Sequence, residues 1–124
     1  MKARSVRQPW ASLIVDGIKD VESRSRPVVR GSTCVHASCK PDLGPEVLRL
    51  MLSRHQGHCG AVIGTVEIID GFGGSKSPWA LGGMWRWVLS APHTLRHPLT
   101  FPGKLGSPHF DVRDELLPAA HHRG

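Results

Sequence analysis

Hydrophobic residues recur at helical spacing directly after a proline near the start of the chain. Trp10, Leu13 and Ile14 follow Pro9 in this pattern, which predicts a short amphipathic helix that buries all three side chains. Pro9 suits the first turn of a helix, where a backbone donor is not needed. Gly17 is expected to end the helix, because glycine tolerates the left-handed backbone found at helix ends.

Short extended segments flank this helix. Residues 5–7 precede it, and residues 21–24 follow it with alternating character. Glu22 and Arg24 therefore share one face of a predicted strand, while Val21 lies on the other. A carboxylate and a guanidinium are expected to emerge together beside the buried helix.

Longer apolar segments predict further strands. Residues 32–38 are rich in β-branched residues, and a buried, hydrogen-bonded His36 is expected among them. Residues 60–70 have the near-continuous Val, Ile and Thr content typical of a central strand buried on both faces. Gly64 within this segment indicates a bend or a close approach of two backbones.

A third apolar segment, residues 84–95, carries two of the four tryptophans. Trp85, Trp87 and Leu89 lie at every second position and therefore share one face of the strand, so they are expected to form one wall of the core. Pro92 is expected to end this strand or to introduce a bulge, since proline cannot donate to a sheet ladder.

The remaining pattern completes an α+β fold. A second helix is predicted over residues 45–54, a Gly/Ser/Pro-rich loop over residues 71–83, and a last short strand over residues 109–112. These elements predict a small, strongly bent β-barrel of about five or six strands flanked by two or three short helices. Residues 113–124 are expected to be a polar C-terminal tail, and no internal repeat or second domain is evident.

Positive charge is concentrated at the start of the chain. The 124 residues carry a formal net charge of +6, and residues 1–40 hold eight Lys or Arg against three acidic residues. Such an excess favours an anionic partner. The alternative is a solvated basic surface that only aids solubility.

Other classes of site are not indicated. The three cysteines are odd in number and lack CxxC spacing, which argues against a disulfide framework. Cys34 and His36 lie within a predicted strand, and the cysteines do not form the ligand pairs typical of a structural zinc site, so neither a metal nor another cofactor is expected. No phosphate-binding GxxxxGK[ST] loop occurs, and no apolar run is long enough to span a bilayer. A cytoplasmic location is expected.

The segment QPWASLIVDGIKDVESR resembles the signature of the ASCH domain. The matching positions are Gln8, Pro9, Trp10, Gly17, Lys19, Glu22 and Arg24. Looser similarity continues through residues 31–37, 60–66, 87–89 and 103–106, so the resemblance covers nearly the whole chain in the right order. It implies a PUA-like barrel and a single ASCH domain over residues 1–112.

Lys19, Glu22 and Arg24 are the strongest site candidates. Lys19 and Arg24 could hold phosphates while Glu22 orients one of them, or the pair Glu22–Arg24 could be a surface ion pair of little consequence. The ASCH resemblance places these positions in a cleft. It also suggests an alternative, because some small bacterial ASCH-like proteins are amidohydrolases of acetylated cytidine that use a Lys at the position of Lys19. Their Thr near the position of Glu22 is absent here.

The sequence therefore predicts a nucleic-acid-binding module, with RNA ahead of DNA, whose basic cleft lies between the first helix and the barrel. The residues expected to contact nucleic acid are Arg7, Gln8, Lys19, Glu22, Arg24, Arg30, Ser38, Lys40, Trp79 and Lys104. The alternatives are a small hydrolase of a modified nucleoside or RNA, with Lys19 and Glu22 as catalytic residues, and a protein–protein adaptor with an exposed apolar patch.

Overall fold

The computed structural model describes residues 1–39, 44, 59–73, 84–100 and 109–117. Within these ranges the chain is mostly β. The elements in chain order are β1 (Lys2–Arg7), α1 (Trp10–Val15), β2 (Val21–Arg24), β3 (Gly31–Ser38), β4 (Ala61–Gly73), β5 (Trp85–Thr100), β6 (His109–Asp111) and a 3-10 turn (Asp114–Leu116). The second helix predicted over residues 45–54 lies outside the described residues.

The six strands form one mixed sheet in the order β2-β5-β4-β3-β1-β6. The β1–β3 pair is parallel and the other pairs are antiparallel. The sheet curls strongly enough for distant strands to meet: Arg24 on the edge strand β2 donates from Nη2 to the backbone oxygen of Ser5 on β1, 2.9 Å away across the concave side. The predicted barrel is thus a curled half-barrel.

The helix α1 packs into the concave side of the sheet. Ile14 is buried as predicted, and Gly17 ends the helical segment with a φ of +79°. Trp10 and Leu13 are only half-buried. The helix instead buries Ala11 and Val15 against β3 and β4, because so short a helix presents one narrow face to the sheet.

Gly64 is a point of close approach, as the sequence predicted. A Cβ added there would lie 2.4 Å from the backbone oxygen of His93 and 2.6 Å from Cγ1 of Val15. The pairing of β4 with β5 also shifts register between Val62 and Gly64. The missing side chain therefore lets the helix, β4 and β5 come together.

The two longest strands extend beyond their predicted ends. Pro92 does not end β5, which continues to Thr100. Pro92 instead lies at a bulge, which was the alternative predicted from the sequence. Ala91 has a φ of +45° there, and the pairing with β4 shifts register. The prediction of a loop from residue 71 is wrong for residues 71–73, which extend β4 and pair with residues 85–87 of β5.

A second apolar cluster covers the convex side of the sheet. Its buried members include Ala3, Cys34 and Leu117. The amino terminus donates to the backbone oxygen of Val112 and to the carboxylate of Asp114, each at 2.7 Å. The described part of the predicted polar tail, residues 113–117, therefore packs against the sheet through Leu117.

Cys39 and Cys59 form a disulfide, so the expectation of no disulfide was wrong. The bond joins the ends of the antiparallel neighbours β3 and β4, where the two Cα atoms lie 4.7 Å apart. Spacing along the chain could not reveal this pair, because strand pairing brings together cysteines that are 20 positions apart. Cys34 remains as a buried free thiol.

Cys34 is expected to be unreactive in the folded protein. It is 0% exposed, and burial raises the pKa of its thiol to about 11, so the reactive thiolate is scarce at pH 8. A thiol-specific dye should label the native chain slowly, and should label one thiol per chain in denaturant without reductant. Rapid labelling of the native chain would show that Cys34 is reactive. Labelling of three thiols per chain in denaturant would contradict the Cys39–Cys59 disulfide.

Candidate nucleic-acid interface

The connection from α1 to β2 places Lys19 beside Glu22. The backbone nitrogen of Lys19 donates to the backbone oxygen of Leu13 at 3.0 Å, which holds the turn after Gly17 against the helix. The Lys19 ammonium donates to the backbone oxygen of Val21 and, at 3.2 Å, to Oε1 of Glu22. The Lys19 side chain is 28% exposed and that of Glu22 is 17% exposed. The ion pair thus lies where solvent meets the interior of the half-barrel.

Arg24 follows Glu22 on the same face of β2 and points inward. Its Nη2 donates to the backbone oxygen of Ser5. Burial lowers the pKa of the Arg24 guanidinium, and the nearby carboxylate of Glu22 acts in the opposite direction. The guanidinium nevertheless stays charged at neutral pH. The structure therefore brings together Lys19, Glu22 and Arg24, as the sequence predicted.

Arg4 is a neighbour of this group that the sequence reasoning missed. Its guanidinium carbon lies 4.7 Å from the ring centroid of Trp87, in a cation–π arrangement across the concave side. Alternation along β1 was the available signal, since Arg4 shares a face with the buried Val6. Trp87 itself is 2% exposed, as expected for a core residue, and its Nε1 donates to the backbone oxygen of Arg26.

Gln8 holds the start of the helix. It is 3% exposed, and its Oε1 accepts a hydrogen bond of 3.0 Å from the backbone nitrogen of Ser12. The Gln8–Pro9 peptide bond is cis. Trp10, for which a core position was expected, packs partly buried against the main apolar cluster.

The other predicted site residues are distributed around the sheet. Arg7 and Ser38 are register partners at the ends of β1 and β3. Arg30 is exposed and donates to Asp70 on β4 at 2.8 Å. The hydrogen bond from the backbone nitrogen of Gly71, together with this bond from Arg30, lowers the pKa of that carboxyl. Arg30 is therefore engaged by β4 rather than by the Lys19–Glu22 pair. The remaining three predicted residues, Lys40, Trp79 and Lys104, lie outside the described residues.

His36 is buried and hydrogen-bonded, as expected. Its Nδ1 lies 3.0 Å from Oγ of Ser5, and its ring meets the ring of Phe110 edge-on at 5.1 Å. In the part of the chain that the structure describes, no group of three or more His, Cys, Asp or Glu residues could hold a metal ion. No helix among those residues has both the length and the apolar character needed to cross a membrane.

These features define a small curled β half-barrel whose concave side is charged and partly open. No family model and no curated protein sequence matches the chain. The crystal structure of ASCH from Zymomonas mobilis does match it, with a TM-score of 0.58 at 16% sequence identity, over 92% of this chain and 88% of that one.

Two mutant structures of the same Zymomonas mobilis protein match equally well. A Tyr-to-Phe mutant gives a TM-score of 0.58 at 15% identity, over 92% of this chain and 91% of that one. A Ser-to-Ala mutant gives a TM-score of 0.58 at 16% sequence identity, over 92% of this chain and 89% of that one. The chain therefore has an ASCH-like fold, which confirms the resemblance read from the signature segment.

Proposed function

We propose that this chain is a cytoplasmic nucleic-acid-binding module that prefers RNA to DNA. The observation that supports the proposal best is the convergence of Lys19, Glu22 and Arg24 at the opening of the half-barrel. Cations placed at the edge of a concave surface suit a polyanion, since each phosphate contact releases counterions. The preference for RNA rests on the ASCH resemblance.

The ligand would lie across the opening, with its backbone against the exposed cations. Lys19 would contact a phosphate directly, because its side chain is partly exposed while Glu22 holds its ammonium in place. Arg24 would attract the ligand from inside the half-barrel, because burial and its hydrogen bond to Ser5 keep its guanidinium away from the surface. Arg7 is exposed at the end of β1 and would extend the basic surface. Lys40, Trp79 and Lys104 stay predicted contacts.

Lys19→Met is expected to weaken binding by about fivefold at 0.1 M salt, because one phosphate contact to a single strand contributes a slope of roughly 0.7 in log affinity against log salt. The measurement is fluorescence anisotropy with short single-stranded and duplex RNA and DNA, titrated at several salt concentrations. Arg113→Met is the matched control, since Arg113 is 74% exposed and pairs with Glu115 away from the opening.

A salt slope near zero for the wild-type chain, or equal effects of the two substitutions, would show that the proposal is wrong. The same mixtures are also run on a denaturing gel. If the wild type cleaves the oligonucleotide and Lys19→Met does not, the protein is a hydrolase and not only a binding module. Absence of any binding would favour a nucleoside substrate or a protein partner.

A further inference from the structure

Trp87 supports two arginines of the half-barrel. The guanidinium carbon of Arg4 lies 4.7 Å from the centroid of the Trp87 ring, in the cation–π arrangement described above. Nε1 of Trp87 donates to the backbone oxygen of Arg26 at 3.0 Å and so holds the segment that follows β2. Trp87 is itself fixed in the core, since it is only 2% exposed. One buried side chain therefore positions a cation of β1 and the segment that carries a second cation.

The charges of Arg4 and Arg26 lie close to each other. Burial lowers the pKa of the Arg4 guanidinium, and the positive charges of Arg24 and Arg26 lower it further. In the part of the chain that the structure describes, no hydrogen bond or ion pair engages the side chain of Arg4 or Arg26. The carboxylate of Glu22, which acts on Arg24, already accepts from the Lys19 ammonium. Like charges in this arrangement repel each other, and a bound anion would remove the repulsion.

An anion would have to meet the two arginines on the solvent side. Arg4 and Arg24 also line a small pocket inside the half-barrel, but the accessible wall of that pocket is entirely apolar. Arg4 is half-buried: its Nε is buried without a hydrogen-bond partner, whereas its two Nη atoms, which are not hydrogen-bonded either, remain accessible. Arg26 is exposed. Both guanidinium groups are thus available to a ligand that stays outside the pocket.

We infer that Arg4 and Arg26 together bind one phosphate of the nucleic-acid strand, at a contact separate from that of Lys19. A planar guanidinium binds the oxygens of a phosphate through paired hydrogen bonds. Lys19 precedes β2 and Arg26 follows it, and the four residues of this strand span about 10 Å. The two contacts therefore take different phosphates of one strand. The inference rests on the proposed function and deepens it, because it adds the residues that fix the path of the strand along β2.

The experiment measures the affinity for one short single-stranded RNA against salt concentration by fluorescence anisotropy. The proteins are the wild type, Arg4→Met, Arg26→Met and the double variant, with Arg113→Met as the control. Methionine keeps an unbranched stem while removing the charge. Thermal unfolding of the same proteins in tripolyphosphate, and in chloride of equal ionic strength, tests the arginine pair without a strand, because tripolyphosphate presents phosphate groups alone.

Arg4→Met and Arg26→Met are each expected to weaken binding by about fivefold at 0.1 M salt and to lower the slope of log affinity against log salt by roughly 0.7. The double variant should also lower the slope by roughly 0.7, rather than by about 1.4, because both arginines serve one phosphate. Tripolyphosphate should raise the Tm of the wild type and of Arg113→Met by about 3 °C or more at a tenfold excess over Kd, and Arg26→Met should lose most of this shift. In chloride, Arg26→Met should be no less stable than the wild type, since it relieves repulsion.

The outcomes distinguish this inference from the proposed function. Strand binding that depends on Lys19 but is unchanged in Arg26→Met, or a slope lowered by about 1.4 in the double variant, would overturn the shared contact alone. Arg26-dependent stabilisation by tripolyphosphate, without any strand binding, would support the arginine pair and overturn nucleic-acid binding. Neither response in the wild type would overturn both. If Arg4→Met does not fold, Arg26→Met still decides the result, because Arg26 is exposed.

Discussion

Gly64→Ala is expected to lower the free energy of unfolding by about 3 kcal/mol, the upper part of the range for overpacked cores. The new Cβ would lie 2.4 Å from the backbone oxygen of His93 and 2.6 Å from Cγ1 of Val15. A backbone oxygen on a paired strand cannot turn aside as a side chain can. The helix or the strand β5 would have to move. Urea unfolding followed by circular dichroism measures the change.

Gly44→Ala is the control for this experiment. A Cβ added at Gly44 meets no described atom within 4 Å, and its backbone is not in the left-handed region. Its effect on stability should stay within about 0.5 kcal/mol, as for most surface substitutions. Equal stability of the two variants would show that α1 does not press on Gly64.

Reduction of the Cys39–Cys59 disulfide is expected to lower the free energy of unfolding by about 3 kcal/mol, because opening the cross-link frees a loop whose ends are 20 positions apart in the unfolded chain. The measurement is urea unfolding with and without a strong reductant. Because disulfides are rare in a reducing cytoplasm, the reduced value describes the protein in the location proposed for it.

The double variant Cys39→Ser/Cys59→Ser is the control for the disulfide. It should have about the stability of the reduced wild type and should not respond to reductant. Cys34 is unchanged in this variant, so any response that persists would come from elsewhere. Equal stability of the oxidised and reduced wild type would mean that the bond adds no constraint to the unfolded chain.

Local pattern was sufficient for the elements near the start of the chain. Pro9 and Gly17 bracket α1 as predicted, and the alternation around Glu22 marks β2. Spacing also placed Lys19 close to Glu22, because only three positions separate them. These features depend on neighbours in sequence, so the sequence alone could predict them.

The extent of the strands depended on partners distant in sequence. Residues 71–73 form strand because residues 85–87 pair with them. Pro92 lies within β5 because a bulge accommodates it while the pairing with β4 continues beyond it. Gly and Pro content predicts the end of a strand only when pairing with a neighbouring strand does not continue past these residues.

The sequence by itself determined the ASCH signature, the central strand around Gly64 and the concentration of cations near Lys19. Only the tertiary structure decided that Cys39 meets Cys59 and that Arg4 shares a pocket with Arg24. The disulfide lies beside the ends of the neighbouring strands β3 and β4, whereas Arg4 and Arg24 come from strands that only the curl of the sheet brings together. The physical reason is that periodicity fixes the face on which a side chain lies, whereas strand order and curvature fix what that face meets.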